Sequence, residues 1–150
     1  FKKLYDPMIR SLVNDDAGDM SSLHAKSFYT PWSRKDMLSH IKKDLCFGFS
    51  RPVDGFIIVS LVEGQAEIIT IAVDPNKMRK GIASALLSIS ETELIDNGAD
   101  ILFLEVAEDN YPALNFYKKK GFEPIGRRPS YYRRAGGRVA AITYRKYLAV

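Results

Sequence analysis

The pattern of apolar positions predicts five strands. Short apolar runs bounded by Gly, Pro or Asp are typical of strands. One of them, ILFLEVAED, is nearly continuous, as expected of a buried central strand. Pro75 ends another because proline has no backbone N–H for a continuing ladder. The five segments are CFGFSRP (46–52), GFIIVSLVEG (55–64), QAEIITIAVDP (65–75), ILFLEVAED (101–109) and GRVAAITYRKYL (137–148).

Helical spacing of apolar residues predicts four helices. Ser33 caps the second, and Asp36 follows at capping-box spacing. Asn110 caps the fourth, which has Pro112 in its first turn. The four lie in NDDAGDMSSLHAKSF (14–28), in TPWSRKDMLSHIKK (30–43), from Ile82 to the stop signal DNGAD (96–100), and in NYPALNFYKKKGF (110–122). Two early helices followed by β-β-β-α-β-α-β predict one mixed α/β domain over 1–150.

Composition narrows the class of protein. The 22 Lys and Arg against 18 Asp and Glu give a net charge of +4, which suits an anionic ligand but does not specify nucleic acid. The single cysteine, Cys46, excludes a disulfide framework and a Cys-rich zinc site, and we expect it to be a small buried residue. The longest apolar run, 56–62, is too short to cross a bilayer. We therefore expect a cytoplasmic protein without a metal or a membrane contact.

The histidines and the early aspartates do not indicate a metal site or a catalytic nucleophile. His24 and His40 have no partner at ligand spacing, so we expect both to be solvated helix residues. Asp15, Asp16 and Asp19 are interpreted as charges at a helix start and not as a calcium loop.

One turn has the features of an anion site. In AVDPNKMRKGIASALL (72–87), two cations and a glycine precede a helix, whose first backbone N–H groups have no partner within the helix. Gly81 lets an anion approach the main chain, and Arg79 and Lys80 add charged donors. The P-loop and the dinucleotide fingerprint are both excluded, because their further glycines are missing. On this stretch alone, a plain strand-to-helix turn with two solvated cations remains the slightly better interpretation.

The same stretch resembles the pantetheine-pyrophosphate motif of the GNAT superfamily of N-acetyltransferases, whose pattern is Q/R-x-x-G-x-G/A. TIAVDP, YTPWS, LFLEVAEDNYPALNFYKKKGFEPIGRR and YY are similar to the RimI type, the ribosomal-protein alanine N-acetyltransferases. One departure is Met78, which stands where the pattern begins with Gln or Arg. The resemblance implies the GNAT fold, a mixed sheet of about six to seven strands with splayed parallel central strands and about four helices.

The resemblance also implies acetyl-CoA as cofactor, bound between the splayed strands, with no metal. The backbone of Ile71, Ala72 and Val73 would pair with the pantetheine arm, and Asn110 would hydrogen-bond the cofactor. A main-chain N–H near Val73 would polarise the thioester carbonyl. The pyrophosphate would be held by Arg79, Lys80, Gly81, Ile82, Ala83 and Ser84.

Two residues become catalytic candidates through the resemblance. Glu105 matches the general base of the RimI type, although a lone strand Glu more often reaches solvent or pairs with a lysine. Tyr117 matches the residue that protonates the leaving sulfur, although its spacing alone favours packing against Leu114.

The acceptor site is less defined. The resemblance puts Trp32, Tyr131 and Tyr132 beside a peptide channel, in segments that read as loops or element ends, whereas for Phe28 packing is favoured. An acidic pair often follows the equivalent of GR in the family, but here Val139 and Ala140 follow it. Five arginines form a basic cluster, which we interpret as a solvated face in preference to a contact with RNA. They are Arg127, Arg128, Arg133, Arg134 and Arg138.

Three functions remain open. The leading hypothesis is an acetyl-CoA-dependent enzyme that acetylates the N-terminal alanine of a small-subunit ribosomal protein, working as a monomer or weak dimer without binding nucleic acid directly. A second keeps the cofactor but takes other protein N-termini, lysines or small-molecule amines. A third is a basic RNA- or ribosome-binding module without chemistry, which would bind RNA in a strongly salt-dependent way.

Overall fold

The computed structural model describes residues 8–148, in which seven strands form one sheet and four α-helices flank it. The strands are β1 (Ile9–Ser11), β2 (Leu45–Phe49), β3 (Gly55–Val62), β4 (Gln65–Val73), β5 (Ile101–Ala107), β6 (Glu123–Arg134) and β7 (Gly137–Tyr147). The helices are α1 (Ala17–Ala25), α2 (Arg34–Lys43), α3 (Ile82–Asp96) and α4 (Tyr111–Lys119). The sheet order is β1-β2-β3-β4-β5-β7-β6.

The five predicted strands and four predicted helices are all present. The apolar pattern did not predict two of the strands, for different reasons. β1 has only three residues, and β6 is an edge strand exposed at almost every position, so it shows no apolar alternation. The first helix is shorter than predicted, because a 3-10 turn at Asn14–Asp16 precedes it and it ends at Ala25.

Two hydrophobic layers cover the two faces of the sheet. On one face, α3 and α4 pack on residues such as Ile57, Leu102 and Leu104. On the other, α1 and α2 cover Phe56 and Ile58. Because alternate residues of β3 contribute to both layers, this strand is buried on both sides.

The pairing of β4 with β5 is the only parallel one within residues 8–148, and it is short. It joins Gln65–Glu67 to Ile101–Phe103. Past that point β4 stays paired with β3 as far as Val73, and β5 stays paired with β7 as far as Ala107, but the two are not paired with each other. This confirms the expected pair of parallel central strands that splay apart, and we call the space between them the wedge.

A bulge in β4 lies where the wedge opens. In the ladder with β3, Ile58 pairs with Thr70 and Val59 with Ile68, so Ile69 is an extra residue. A bulge bends its strand and increases the local twist. β4 therefore turns away from β5 while keeping its ladder with β3.

His24 is buried, so the prediction of a solvated helix residue is wrong. It is 2% exposed, and its ring stacks on Phe28 at 3.9 Å and on Trp32 at 5.0 Å. Its Nδ1 accepts a hydrogen bond from the Trp32 N–H at 3.1 Å, which leaves the proton on Nε2, 3.4 Å from Thr70 Oγ1 of β4. His24 thus fastens the loop between α1 and α2 to the bulged strand.

His40 is half-buried and continues the same column of rings. It stacks on Trp32 at 4.9 Å, and its Nδ1 lies 2.7 Å from Asp44. The prediction that it is simply solvated is therefore wrong as well.

Asp16 lies at a helix start, as predicted, but it is buried and paired. Its carboxylate takes a bidentate bond from Arg10 at 2.7 and 2.8 Å, which lowers its pKa, and it accepts from the Val13 N–H at 2.8 Å. Cys46 is buried as predicted, and burial raises its pKa to about 12, so it is unreactive as a nucleophile. Within the described residues, no helix is long and apolar enough to span a bilayer.

Burial lowers the pKa of His24 from 6.5 to about 4, because the charged form loses its hydration. The unfolded chain therefore binds this proton at a higher pH than the folded chain does, and stability falls as the pH drops from 6.5 towards 4. His24 should account for about 3 kcal/mol of that fall. Urea denaturation at pH 7, 5 and 4 should show a shallower pH dependence in His24→Asn, whereas His40→Asn should keep this part of the slope. Equal slopes in His24→Asn and the unmodified chain would contradict the prediction.

Candidate active site

The turn between β4 and α3 presents backbone donors. Gly81, with φ of +78°, is the N-cap of α3, and the first intrahelical bond runs from the Ala85 N–H to the Gly81 carbonyl at 3.0 Å. The N–H groups from Gly81 to Ser84 therefore have no partner within the helix. The first turn contains neither Asp nor Glu, so nothing there opposes an anion.

Space is open at the same turn. A Cβ placed on Gly81 would meet no heavy atom within 4 Å, so glycine is needed there for its backbone conformation. Arg79 also has a positive φ, of +63°, and both Arg79 and Lys80 are exposed. Met78, which replaces a polar residue of the motif, is exposed as well. The turn thus fits an anion approached by main-chain amides and two mobile cations.

Close packing fixes the start of α3 over the sheet. A Cβ on Gly55 would lie 2.7 Å from Ile82 Cγ2, so Ile82 packs directly on the main chain of β3. Gly55 in turn pairs with Val73, the last residue of β4. The donors of the turn are held at the end of β4 where the wedge is widest.

The edge of β4 that faces the wedge is available for pairing. Ile71, Ala72 and Val73 pair with β3 on one side, while on the other side the ladder with β5 ended at Glu67. Asn110 lies in the turn after β5, where its Oδ1 caps α4 by accepting from the Ala113 N–H at 3.3 Å. The two expected cofactor-contacting segments therefore lie at or just beyond the carboxyl ends of the two splayed strands.

Glu105 lies in the splayed half of β5. Its side chain is 16% exposed, and its Oε2 is 3.2 Å from both Thr143 Oγ1 and Arg128 Nε. Glu105 is therefore an ion-paired strand glutamate, as the alternative interpretation expected, but its partner is an arginine and its side chain is largely buried.

Glu67 was not singled out from the sequence; it lies on the same face of the sheet as Glu105, at the point where the wedge begins. It pairs with Phe103, two residues before Glu105 on the same face of the sheet. Its pKa is raised, first by burial and then by the charge of Glu105, while the charge of Arg128 opposes the rise. No pattern within either strand signals that Glu67 lies near Glu105, because this depends on the register between β4 and β5.

Tyr132 closes the site from the opposite side of β5. Its hydroxyl donates to the main-chain oxygen of Glu105 at 3.3 Å, and Tyr131 packs edge-on against it at 5.0 Å. Burial, and then the charge of Glu105, raise the pKa of Tyr132 to about 12, so it stays protonated. Both tyrosines belong to β6, which corrects their assignment to a loop or element end.

Tyr117 is buried beneath the same site. It packs edge-on against Phe116 at 5.1 Å and Phe122 at 5.4 Å, and burial raises its pKa, so the phenol holds its proton at neutral pH. Tyr117 therefore packs in the core, as the alternative interpretation expected, and the rings that it contacts are those of Phe116 and Phe122.

Trp32 and Phe28 belong to the column of rings around His24. Their ring contacts are with His24 of α1 and His40 of α2, whereas Tyr131 and Tyr132 contact each other and the region of Glu105. The geometry therefore joins the two tyrosines to Glu105 and leaves Trp32 in a packing contact.

The basic cluster lies on an exposed face, as predicted, and three of its arginines pair there with acids in or just after β5. Arg127 contacts Glu108 at 3.0 Å, and Arg134 contacts Asp109 at 2.9 Å; the third is Arg128. Val139 and Ala140, which stand in place of an acidic pair, lie in β7, and Ala140 is 1% exposed.

Comparison with known proteins agrees with this geometry. Residues 17–122 match the model of the acetyltransferase (GNAT) family. A [ribosomal protein bS18]-alanine N-acetyltransferase of Escherichia coli strain K12 is 32% identical over 138 residues, which cover 89% of this chain and 93% of that protein. The crystal structure of the ribosomal-protein-S18-alanine N-acetyltransferase from Escherichia coli matches with a TM-score of 0.88 at 30% identity, covering 95% of this chain and 94% of that chain.

Two further proteins widen the comparison. A mycothiol acetyltransferase of Clavibacter sepedonicus is 30% identical over 127 residues, which are 76% of this chain and 42% of that protein. The structure of Arabidopsis thaliana NAA60 in complex with acetyl-CoA has a TM-score of 0.85 at 16% identity, covers 93% of this chain and 97% of that chain, and is a likeness of fold. The chain therefore belongs to the acetyltransferase (GNAT) family, is similar to its RimI-type members, and is an acetyltransferase.

Proposed function

We propose that this acetyltransferase carries an acetyl group from acetyl-CoA to the α-amino group of an N-terminal alanine on a small-subunit ribosomal protein. The observation that carries the proposal is the position of Glu105, a largely buried carboxylate inside the wedge and beside two tyrosines. The likeness to the bS18-alanine N-acetyltransferase supports the acceptor.

The chain has the donors that acetyl-CoA requires. When bound, acetyl-CoA supplies an acetyl group activated as a thioester. The main chain of Ile71, Ala72 and Val73 offers the free edge of β4 to the pantetheine arm, a main-chain N–H near Val73 would polarise the acetyl carbonyl, and Asn110 follows β5 on the other side of the wedge. The pyrophosphate would lie at the start of α3, held by Arg79, Lys80, Gly81, Ile82, Ala83 and Ser84.

Glu105 is the proposed general base. An α-ammonium has a pKa of about 7.7–8.0, so a carboxylate, directly or through one water, can remove its proton near neutral pH. The Thr143 hydroxyl holds Glu105 Oε2 in place at 3.2 Å. Tyr117 is the proposed acid, since its phenol keeps its proton and can donate it to the departing sulfur.

Tyr131 and Tyr132 are the proposed walls of the acceptor channel, with Trp32 as a more distant candidate. Tyr132 is anchored on the main chain of Glu105, so the acceptor would be aligned by the strand that carries the base. A small-molecule amine is the second candidate acceptor, because a mycothiol acetyltransferase is among the relatives. Other protein N-termini and lysines use the same chemistry. An RNA-binding module is disfavoured, because three of the five clustered arginines are occupied by acids.

A peptide panel tests the acceptor. Acetyl-CoA turnover, measured by mass spectrometry of the product, should be fastest with peptides that begin with alanine and slower with internal lysines, aminoglycosides or a cysteinyl glycoside. Preference for a small amine over every Ala-initial peptide would replace the proposed acceptor with the second candidate.

Glu105→Gln should lower kcat by about 100-fold or more, because the amide cannot accept the proton from the amine. The dissociation constant of acetyl-CoA should stay within about twofold of its original value, because Glu105 lies away from the pyrophosphate turn; this is measured by calorimetry. Glu108→Gln is the matched control, since it removes a nearby exposed carboxylate that pairs with Arg127 outside the wedge. A Glu105→Gln enzyme with unchanged kcat would remove Glu105 from the mechanism.

Gly81→Ala should weaken acetyl-CoA binding by about tenfold, because alanine at a φ of +78° costs about 1–2 kcal/mol and its relief displaces the amides of the turn. Gly98→Ala is the control, since Gly98 has a φ of +87°, equally open surroundings and a place beyond the other end of α3. Both variants should lose similar thermal stability, but only the first should lose affinity. Equal affinities in the two variants would sink the proposed pyrophosphate site.

A further inference from the structure

Arg128 forms an ion pair with Glu105, the proposed general base. Its Nε is 3.2 Å from Glu105 Oε2, the oxygen that also accepts from Thr143. A carboxylate oxygen with two donors has little remaining capacity for a third. An amine that binds this oxygen of Glu105 therefore competes with the Arg128 guanidinium, and the guanidinium charge also repels an ammonium group that approaches the other oxygen.

The surroundings of Arg128 match those that an ammonium group needs. The guanidinium carbon lies 4.6 Å from the centre of the Tyr131 ring, at the distance of a cation–π contact. Its positive charge also acts on Glu67, where it opposes the effects of burial and of Glu105 on the pKa. The Arg128 guanidinium therefore interacts with the carboxylates of Glu105 and Glu67 and with the ring of Tyr131.

Arg128 can leave this position without breaking the sheet. Its side chain is 58% exposed, while its main chain stays paired with Ala141 in β7. Just beyond it the register shifts between Arg128 and Tyr132, and Ser130 has a φ of +52°. Because the main chain of Arg128 is held by β7 while its side chain is largely exposed, a rotamer change suffices to free Glu105.

We propose that Arg128 is an internal stand-in for the acceptor's ammonium group, held on Glu105 and Tyr131 until a protonated primary amine displaces it. This rests on the proposed function and adds to it a specificity-determining residue. The amine would enter as a cation and exchange places with the guanidinium. Its N–H bond would then break as an O–H bond forms on Glu105, either directly or through a water that takes this proton and passes one of its own to Glu105. A neutral end group, such as an acetylated N-terminus, gains nothing from this exchange.

The test measures binding of an Ala-initial peptide by calorimetry in the presence of CoA, which gives no turnover. Arg128→Gln should bind the free peptide about fivefold more tightly than the unmodified chain, because no internal cation has to be displaced. Arg128→Lys should fall between the two, because it keeps the charge but loses the planar guanidinium. Arg127→Gln is the matched control, since it removes the same charge from the neighbouring residue, which pairs with Glu108. The same peptide with an acetylated N-terminus should bind equally to all four proteins.

The outcomes separate this proposal from the proposed function. Equal or weaker binding of the free peptide by Arg128→Gln, an equal gain in Arg127→Gln, a gain that extends to the acetylated peptide, or no measurable binding would each overturn the role of Arg128. Acetyl transfer is followed separately by mass spectrometry. Tighter binding by Arg128→Gln without any acetyl transfer would support the stand-in and reject the proposed reaction, whereas transfer without tighter binding would do the reverse.

Discussion

The early end of the parallel ladder between β4 and β5 is the constraint on which the site depends. Three pairs of residues hold the two strands together, and then each strand keeps only its other partner. The bulge at Ile69 bends β4, while β5 keeps a continuous ladder with β7. If β4 and β5 stayed paired along their whole length, neither strand would have a free main-chain edge between them. There would also be no space beside that edge for the carboxylate of Glu105.

Packing on both faces of the sheet holds the wedge open. On one face, Ile82 lies on the bare main chain of Gly55 and fixes the start of α3 at the end of β4. On the other, His24 joins the α1–α2 loop to Thr70, next to the bulge. The walls of the wedge are therefore held by contacts that do not themselves take part in the chemistry.

Charge is distributed unevenly around the wedge, in a way that suits two different ligands. The turn before α3 offers amides, Arg79 and Lys80 to an anion. At the other end, Glu67 and Glu105 offer negative charge to a cation. An acetyltransferase has to bring an anionic coenzyme and a cationic amine to one point. The separation of positive and negative charge along the wedge gives each ligand its own end of the site.

Local patterns predicted the elements but not the contacts between them. The apolar runs and caps were sufficient for five strands and four helices, because their signals lie within a few residues. β6 was missed because an edge strand exposed on both faces has no alternation. His24 was misjudged because its partner Thr70 is 46 residues away. Glu67 and Arg128 meet Glu105 only through strand register, and register is set by the whole sheet.

Amide hydrogen exchange with and without acetyl-CoA tests most directly whether the wedge and the turn before α3 form one coenzyme site. Saturating acetyl-CoA should slow exchange at Ile71–Val73 and at Gly81–Ser84 together, because both sets of amides gain partners, and should leave β1 and β2 unchanged. Protection confined to other elements, or none at concentrations that sustain turnover, would contradict it.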